Sequence, residues 1–122
     1  MKIESIKFKA KRLGNGEWVC GDLLHRITDI CIAVKDMDDI VYYPVDPATV
    51  CQFTGLKDCE DKEVWEGDII EFETLDLYKG IIKIKGIIRY TNSGFFAVAD
   101  DMPYPLSSKR IKVVGNKFDK EK

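Results

Sequence analysis

The residues best equipped for chemistry are a single histidine, four cysteines and a dense run of carboxylates. His25 follows Leu23-Leu24 and precedes Arg26, and no serine or cysteine stands at a motif spacing that would make it a general base. A lone histidine at the end of a strand is expected at the surface. Cys20, Cys31, Cys51 and Cys59 contain no Cys-x-x-Cys pair and, with one histidine, give no standard zinc spacing. In a reducing compartment they are expected to act as small apolar side chains, with Cys59 an exposed thiol in a polar turn. Glu63, Glu66, Asp68 and Glu71 are dense enough for an acid–base pair or a hard-cation site. Gly-Asp corners recur in turns, however, because Asp bonds nearby backbone N–H groups, and the turn reading is the favoured one. The glycines form neither a G-x-x-x-x-G-K-[ST] loop nor a G-x-G-x-x-G between strand and helix. The sequence therefore predicts no catalytic residues, no cofactor and no metal.

Composition narrows the class. A chain of 122 residues fits one domain, and 45% hydrophobic with 33% charged residues places it among globular proteins rather than disordered ones. No apolar run approaches the ~20 residues of a membrane helix. The opening MKIESIKFKAKR lacks an apolar signal core, so the expected location is the cytoplasm, with no membrane partner. Lys and Arg number 19 against 21 Asp and Glu, a balance without the global field that nonspecific nucleic-acid binding uses. Lys2, Lys7, Lys9, Lys11 and Arg12 crowd the amino end, and a solvated strand face is the favoured reading of that cluster.

The elements that must position these residues are strands. From Lys2 to Ala10 the chain alternates, Ile6, Phe8 and Ala10 on one face and Lys7 and Lys9 on the other, continued by Lys11. Asn15-Gly16 signals a hairpin, with Trp18 to Cys20 returning. Ile30 to Val34 and Ile40 to Tyr43 flank a turn at Met37-Asp38-Asp39. Asp46-Pro47 starts at most one helical turn. A short strand ends at Phe53, and Thr54-Gly55-Leu56 is read as a turn before a charged tip over Asp58 to Lys62. After Gly67 come strands carrying Ile69 to Phe72, Ile81 to Ile84 and Ile87 to Tyr90, with bends or bulges expected at Gly80 and Gly86. Asn92-Ser93-Gly94 turns into Phe95 to Val98. Met102-Pro103-Tyr104-Pro105 is expected to be an irregular link, since two prolines cannot serve a central strand. A short helical turn is expected near Leu106 to Lys109, then a last strand over Ile111 to Val114. The fold class is all-β: a small barrel or packed sheets, one domain over residues 1–116, its carboxy-terminal half SH3-like and its amino-terminal part hairpins, with a charged tail at 117–122.

Four stretches carry a resemblance. QFTGLKDCEDKEVWEGDIIE (Gln52 to Glu71) closely resembles the signature of the YopX family of small bacteriophage and prophage proteins, and YYPVDPATVCQFTGLKD (Tyr42 to Asp58) is similar to its middle block. IKFKAKRLGNGEWVCGDLL (Ile6 to Leu24) is similar to the family's opening, and IKVVGNKFD (Ile111 to Asp119) to its closing strand. The sequence departs from the family at Cys59, Glu60 and Asp61, which replace a run that normally carries Asn-Gly. The resemblance implies a phage or prophage accessory protein in a bacterial host; it implies no reaction.

The functional expectation is a non-enzymatic module that binds a host or phage protein, and itself as a homo-oligomer. Neighbouring aromatics on a strand face opposite sides, so one of Tyr42 and Tyr43 and one of Phe95 and Phe96 must point outwards unless a second layer or subunit covers it. The expected contact surface combines the tip residues Lys57, Asp58 and Glu63 with Trp65, Glu66 and Asp68. The alternative is a nucleic-acid-associated SH3-like module whose Lys79, Lys83, Lys85 and Arg89 touch phosphates; it is not the favoured reading.

Overall fold

The computed structural model describes residues 6–106 and 110–119 and is built almost wholly from antiparallel strands. Tertiary contacts divide it into two units, Met1–Phe53 and Thr54–Lys122.

In the first unit β1 (Phe8–Lys11), β2 (Trp18–His25), β3 (Ile30–Asp36) and β4 (Asp39–Pro44) form a meander, and β5 (Cys51–Lys57) starts by pairing with β1. Alternation along β1 sends Phe8 and Ala10 to a core with Val19, Leu23, Ile32, Val34 and Val45. The opposite face differs from the solvated one expected. Lys7 sits over the Phe53 ring at 4.7 Å, and Lys9 and Lys11 lie over Trp18 at 4.6 and 5.3 Å. Ring quadrupoles attract these cations, so the lysine stems cover aromatic surface instead of standing in water. Arg12 covers Tyr43 in the same way at 4.5 Å, while Tyr42 on the other side is 48% exposed. Asp46 caps a 3-10 helix at Pro47–Thr49, its carboxylate accepting from the Ala48 N–H at 3.0 Å.

The second unit contains β6 (Glu63–Trp65) beside the remainder of β5, then β7 (Asp68–Asp76), β8 (Gly80–Thr91), β9 (Gly94–Ala99), β10 (Met102–Pro105) and β11 (Ile111–Asn116). The last five form a sheet in the order β10-β9-β8-β7-β11. Its core gathers Val64, Ile70, Phe72, Ile88, Ala97, Ile111 and Val113, with Phe95 packed against it.

Several expectations are corrected. Thr54-Gly55-Leu56 does not end a strand: β5 runs through it, bent by Gly55 at φ 86°, a conformation glycine adopts without steric cost. Met102 to Pro105 is a strand, because β10 lies at the end of the sheet, where a missing N–H removes no ladder bond from a second neighbour. Gly80 opens β8 at φ 78°, paired with Asp76 directly after the turn, and the ladder passes Gly86 without a register shift. Gly86 is instead a close-approach site, since a Cβ there would lie 3.2 Å from the Val98 carbonyl oxygen. The bulge falls in β11, between Val113 and Gly115. The charged tail begins tied down: the Lys117 N–H donates to the Gly67 carbonyl and the Asp119 N–H to that of Asn116. Of the helical turn expected near Leu106 to Lys109, residues 107–109 lie outside the described residues.

Candidate functional site

Of the six residues expected to form a contact surface, Asp58, Trp65 and Asp68 are instead buried and brace the second unit. Cys59, Glu60 and Asp61 form a loop between Asp58 and Lys62, with Asp61 at φ 64° in the position where glycine is usual. Asp58, only 6% exposed, directs one carboxylate oxygen to the N–H groups of Glu60 and Lys62, both at 2.9 Å. Its other oxygen accepts the Val113 N–H at 2.9 Å, next to the β11 bulge. Burial alone would raise the Asp58 pKa. The three backbone hydrogen bonds and the nearby Lys62 charge together outweigh burial, and the carboxyl is held below its usual range.

The Trp-Glu-Gly-Asp corner is built in the same manner. Asp68, 3% exposed, accepts the Trp65 N–H at 2.7 Å and the Asn116 side-chain amide at 3.0 Å. Asn116 returns its oxygen to the Phe118 N–H at 2.9 Å. Gly67, at φ 87°, donates its N–H to the Ile88 carbonyl. Thr54 reaches the Val64 carbonyl through its hydroxyl at 2.7 Å. Asp58, Trp65 and Asp68 are therefore withdrawn from the surface, because their polar groups close turns and the Trp65 ring is buried. Lys57 stays exposed and pairs with Asp61 at 3.8 Å, while Glu63 and Glu66 are half-buried.

The basic residues of the alternative reading fall on one element. Lys83, Lys85 and Arg89 alternate along β8 on a common face, and Lys79 is in the turn before it. Cross-strand register sets Glu71 opposite Lys85 and Glu73 opposite Lys83, and Lys83 also contacts Glu71 at 3.8 Å. The face is thus a mixed-charge surface, not a basic one.

Sequence reasoning overlooked the apolar end of this β7–β8 ribbon. Leu75 is 73% exposed, Leu77 93%, Tyr78 96% and Ile81 72%. Asp76 makes the turn, accepting from the Tyr78 and Lys79 N–H groups at 2.8 and 3.0 Å. Side chains of this size at a hairpin tip, where polar residues are usual, were the signal available in the sequence. An open cleft of about 710 Å³ borders this ribbon, lined by Phe72, Thr74, Leu75 and Ile81 with the charged Glu71, Glu73, Lys83, Arg110 and Lys112.

His25 ends β2 at the surface. Cys20 and Cys59 are exposed and outside any disulfide, whereas Cys31 and Cys51 are buried, and burial raises the Cys31 pKa. Among the described residues no group of three or more His, Cys, Asp or Glu is placed to hold a metal ion. No helix among them is long and apolar enough to cross a membrane.

No curated protein matches the sequence. The family model described as YopX protein matches residues 4–121, nearly the whole chain, and the protein belongs to that family.

Proposed function

We propose that this protein is a non-enzymatic interaction module, an accessory protein of a phage or prophage that binds another protein in the cytoplasm of a bacterial host and also binds itself. The observation that carries the reading is the run of exposed apolar side chains gathered at the end of the β7–β8 ribbon, Leu75, Leu77, Tyr78 and Ile81. Large apolar groups clustered on a projecting turn are a docking element, because a partner that covers them removes their area from water. Of the acidic run Glu63, Glu66, Asp68 and Glu71, Asp68 spends its oxygens on the Trp65 N–H and the Asn116 amide, and Glu71 pairs with Lys83. The order β11-β7-β8-β9-β10, last strand beside first, supports reading the second unit as an SH3-like module.

The test is capture from host lysate, with nuclease, using wild-type protein and a Leu77→Ser/Tyr78→Ser variant as baits. A stoichiometric, nuclease-resistant protein bound by the wild type and lost with the variant is the expected result. Retention by the folded variant would remove the ribbon end from the surface.

A second reading, association with nucleic acid, is favoured by the common face of Lys83, Lys85 and Arg89 on β8. Glu71 and Glu73 oppose it by repelling phosphates. Under this reading a labelled single strand binds the protein with affinity falling steeply as salt rises. Binding that is absent at low salt, or indifferent to salt, disposes of it.

A further inference from the structure

The distal part of the β7–β8 ribbon has no third strand on either side among the described residues. β11 pairs with β7 only from Asp68 to Phe72, and β9 pairs with β8 only from Ile87 to Thr91. Glu73 to Asp76 and Gly80 to Lys83 therefore pair with each other alone, while Ile84 to Gly86 face the part of β7 that β11 also joins. Two-stranded ribbons are marginal in water unless a face is covered. Strand alternation puts Glu71, Glu73 and Leu75 of β7 and Ile81, Lys83 and Lys85 of β8 on the same outer face. The register arranges them as three rungs: Leu75 opposite Ile81, Glu73 opposite Lys83, Glu71 opposite Lys85. Within the ribbon one strand of this face is acidic and the other basic, both end in an exposed aliphatic residue, and Lys112 of β11 stands beside Glu71 at the innermost rung.

Such a face is complementary to itself in one orientation. We infer that the outer face of the β7–β8 ribbon is the contact surface for a second copy of this chain, stacked face to face about a two-fold axis running along the strands. That axis exchanges β7 for β8 at the same level. It therefore sets Glu73 over Lys83 of the second copy, Glu71 over its Lys85 and Leu75 over its Ile81. A two-fold axis across the strands would reverse the levels on a single strand and set Glu73 on Glu73. Like charges directly opposed disfavour that pairing, so the charge pattern selects the first axis. The inference rests on the interaction-module reading and names the self-association partner of that surface. A ribbon this short covers less than the ~1,200–2,000 Å² of stable complexes, so the dimer is a weak one, with a dissociation constant of order micromolar or above.

The test is sedimentation equilibrium from about 1 to 200 µM on four samples: wild type, Glu73→Lys, Lys83→Glu, and an equimolar mixture of the two variants. Wild-type mass is expected to rise towards twice the 14.0 kDa of one chain. The dimer should weaken roughly tenfold between low salt and 0.5 M salt, since exposed charges are screened. Each variant alone stacks like charges and stays monomeric. Their mixture restores every opposite-charge pair across the two-fold axis and recovers the dimer. Leu75→Ser, which leaves the charges intact, should also weaken association, and a thermal melt checks that each variant is folded. A mixture that stays monomeric while both variants are folded overturns the inference, as do single variants that associate like wild type. A wild type monomeric throughout also overturns it while leaving the interaction-module reading standing, because the lysate capture tests that separately.

Discussion

The carboxylates carry the sharpest lesson at the scale of single residues. Glu63, Glu66, Asp68 and Glu71 looked alike in the sequence, yet Asp68 is buried in a turn while Glu71 lies on the mixed-charge face of a strand. Asp58 was assigned to a charged surface tip and is the acceptor that joins that tip to β11. Local spacing shows that an aspartate can close a turn; only the fold supplies a Val113 N–H, 55 residues away, for its second oxygen. This makes Asp58 a stability determinant with a definite pH signature. Its folded pKa lies below the ordinary 3.8, so the unfolded chain takes up the proton first as pH falls. The stabilisation is fully present above about pH 4 and is lost as pH drops through the folded value. Replacing it in Asp58→Asn turns an amide donor towards one of three backbone donors, at an expected cost of about 3 kcal/mol at neutral pH. Thermal denaturation from pH 7 to pH 3 checks both points: the variant should melt lower at pH 7, and the gap from wild type should narrow on acidification. A constant gap would detach the acid sensitivity from Asp58.

Elements were legible where they depend on local chemistry. The alternation of Phe8 and Ala10, the Asp46 cap, and the Gly67-Asp68 corner were read correctly because propensity, capping and turn geometry act within a few residues. The misreadings have a common cause: they concern what lies beside an element. Met102 to Pro105 is tolerated as a strand because it is at the end of its sheet, and sequence does not state a strand's place in the order. Gly86 was expected to bend β8 and instead lets β9 approach. Gly21 in β2 is a stronger instance, missed altogether in the sequence: a Cβ there would lie 2.3 Å from the Ala33 carbonyl oxygen on β3, a backbone atom that cannot swing aside. Gly21→Ala is expected to destabilise by about 2–3 kcal/mol through this clash. Gly14→Ala, with nothing near the added methyl, should be neutral or stabilise by up to about 1 kcal/mol. Urea denaturation of the two variants decides it; equal midpoints would show that β2 and β3 can separate without penalty.

The whole molecule has two cores rather than one stripe of apolar residues, and each belongs to its own unit. Ile32 and Ile88 are both fully buried, one in each core. Ile32→Ala and Ile88→Ala should each cost roughly 2–5 kcal/mol. Hydrogen exchange should accelerate across β1 to β4 in the first variant and across β7 to β9 in the second, and unchanged exchange in those strands would show the core misassigned. By itself the sequence determined family membership, the all-β class and most turns, because those follow from residue type, alternation and spacing along the chain. The tertiary structure alone decided that Asp58, Trp65 and Asp68 are bracing, and that the amino-terminal lysines lie over rings. It alone gathered Leu75 and Ile81 with the Glu71, Glu73, Lys83 and Lys85 charges on one exposed face. The reason is that burial and charge pairing are set by residues brought together from distant parts of the chain, and one-dimensional order does not record which pairs will meet.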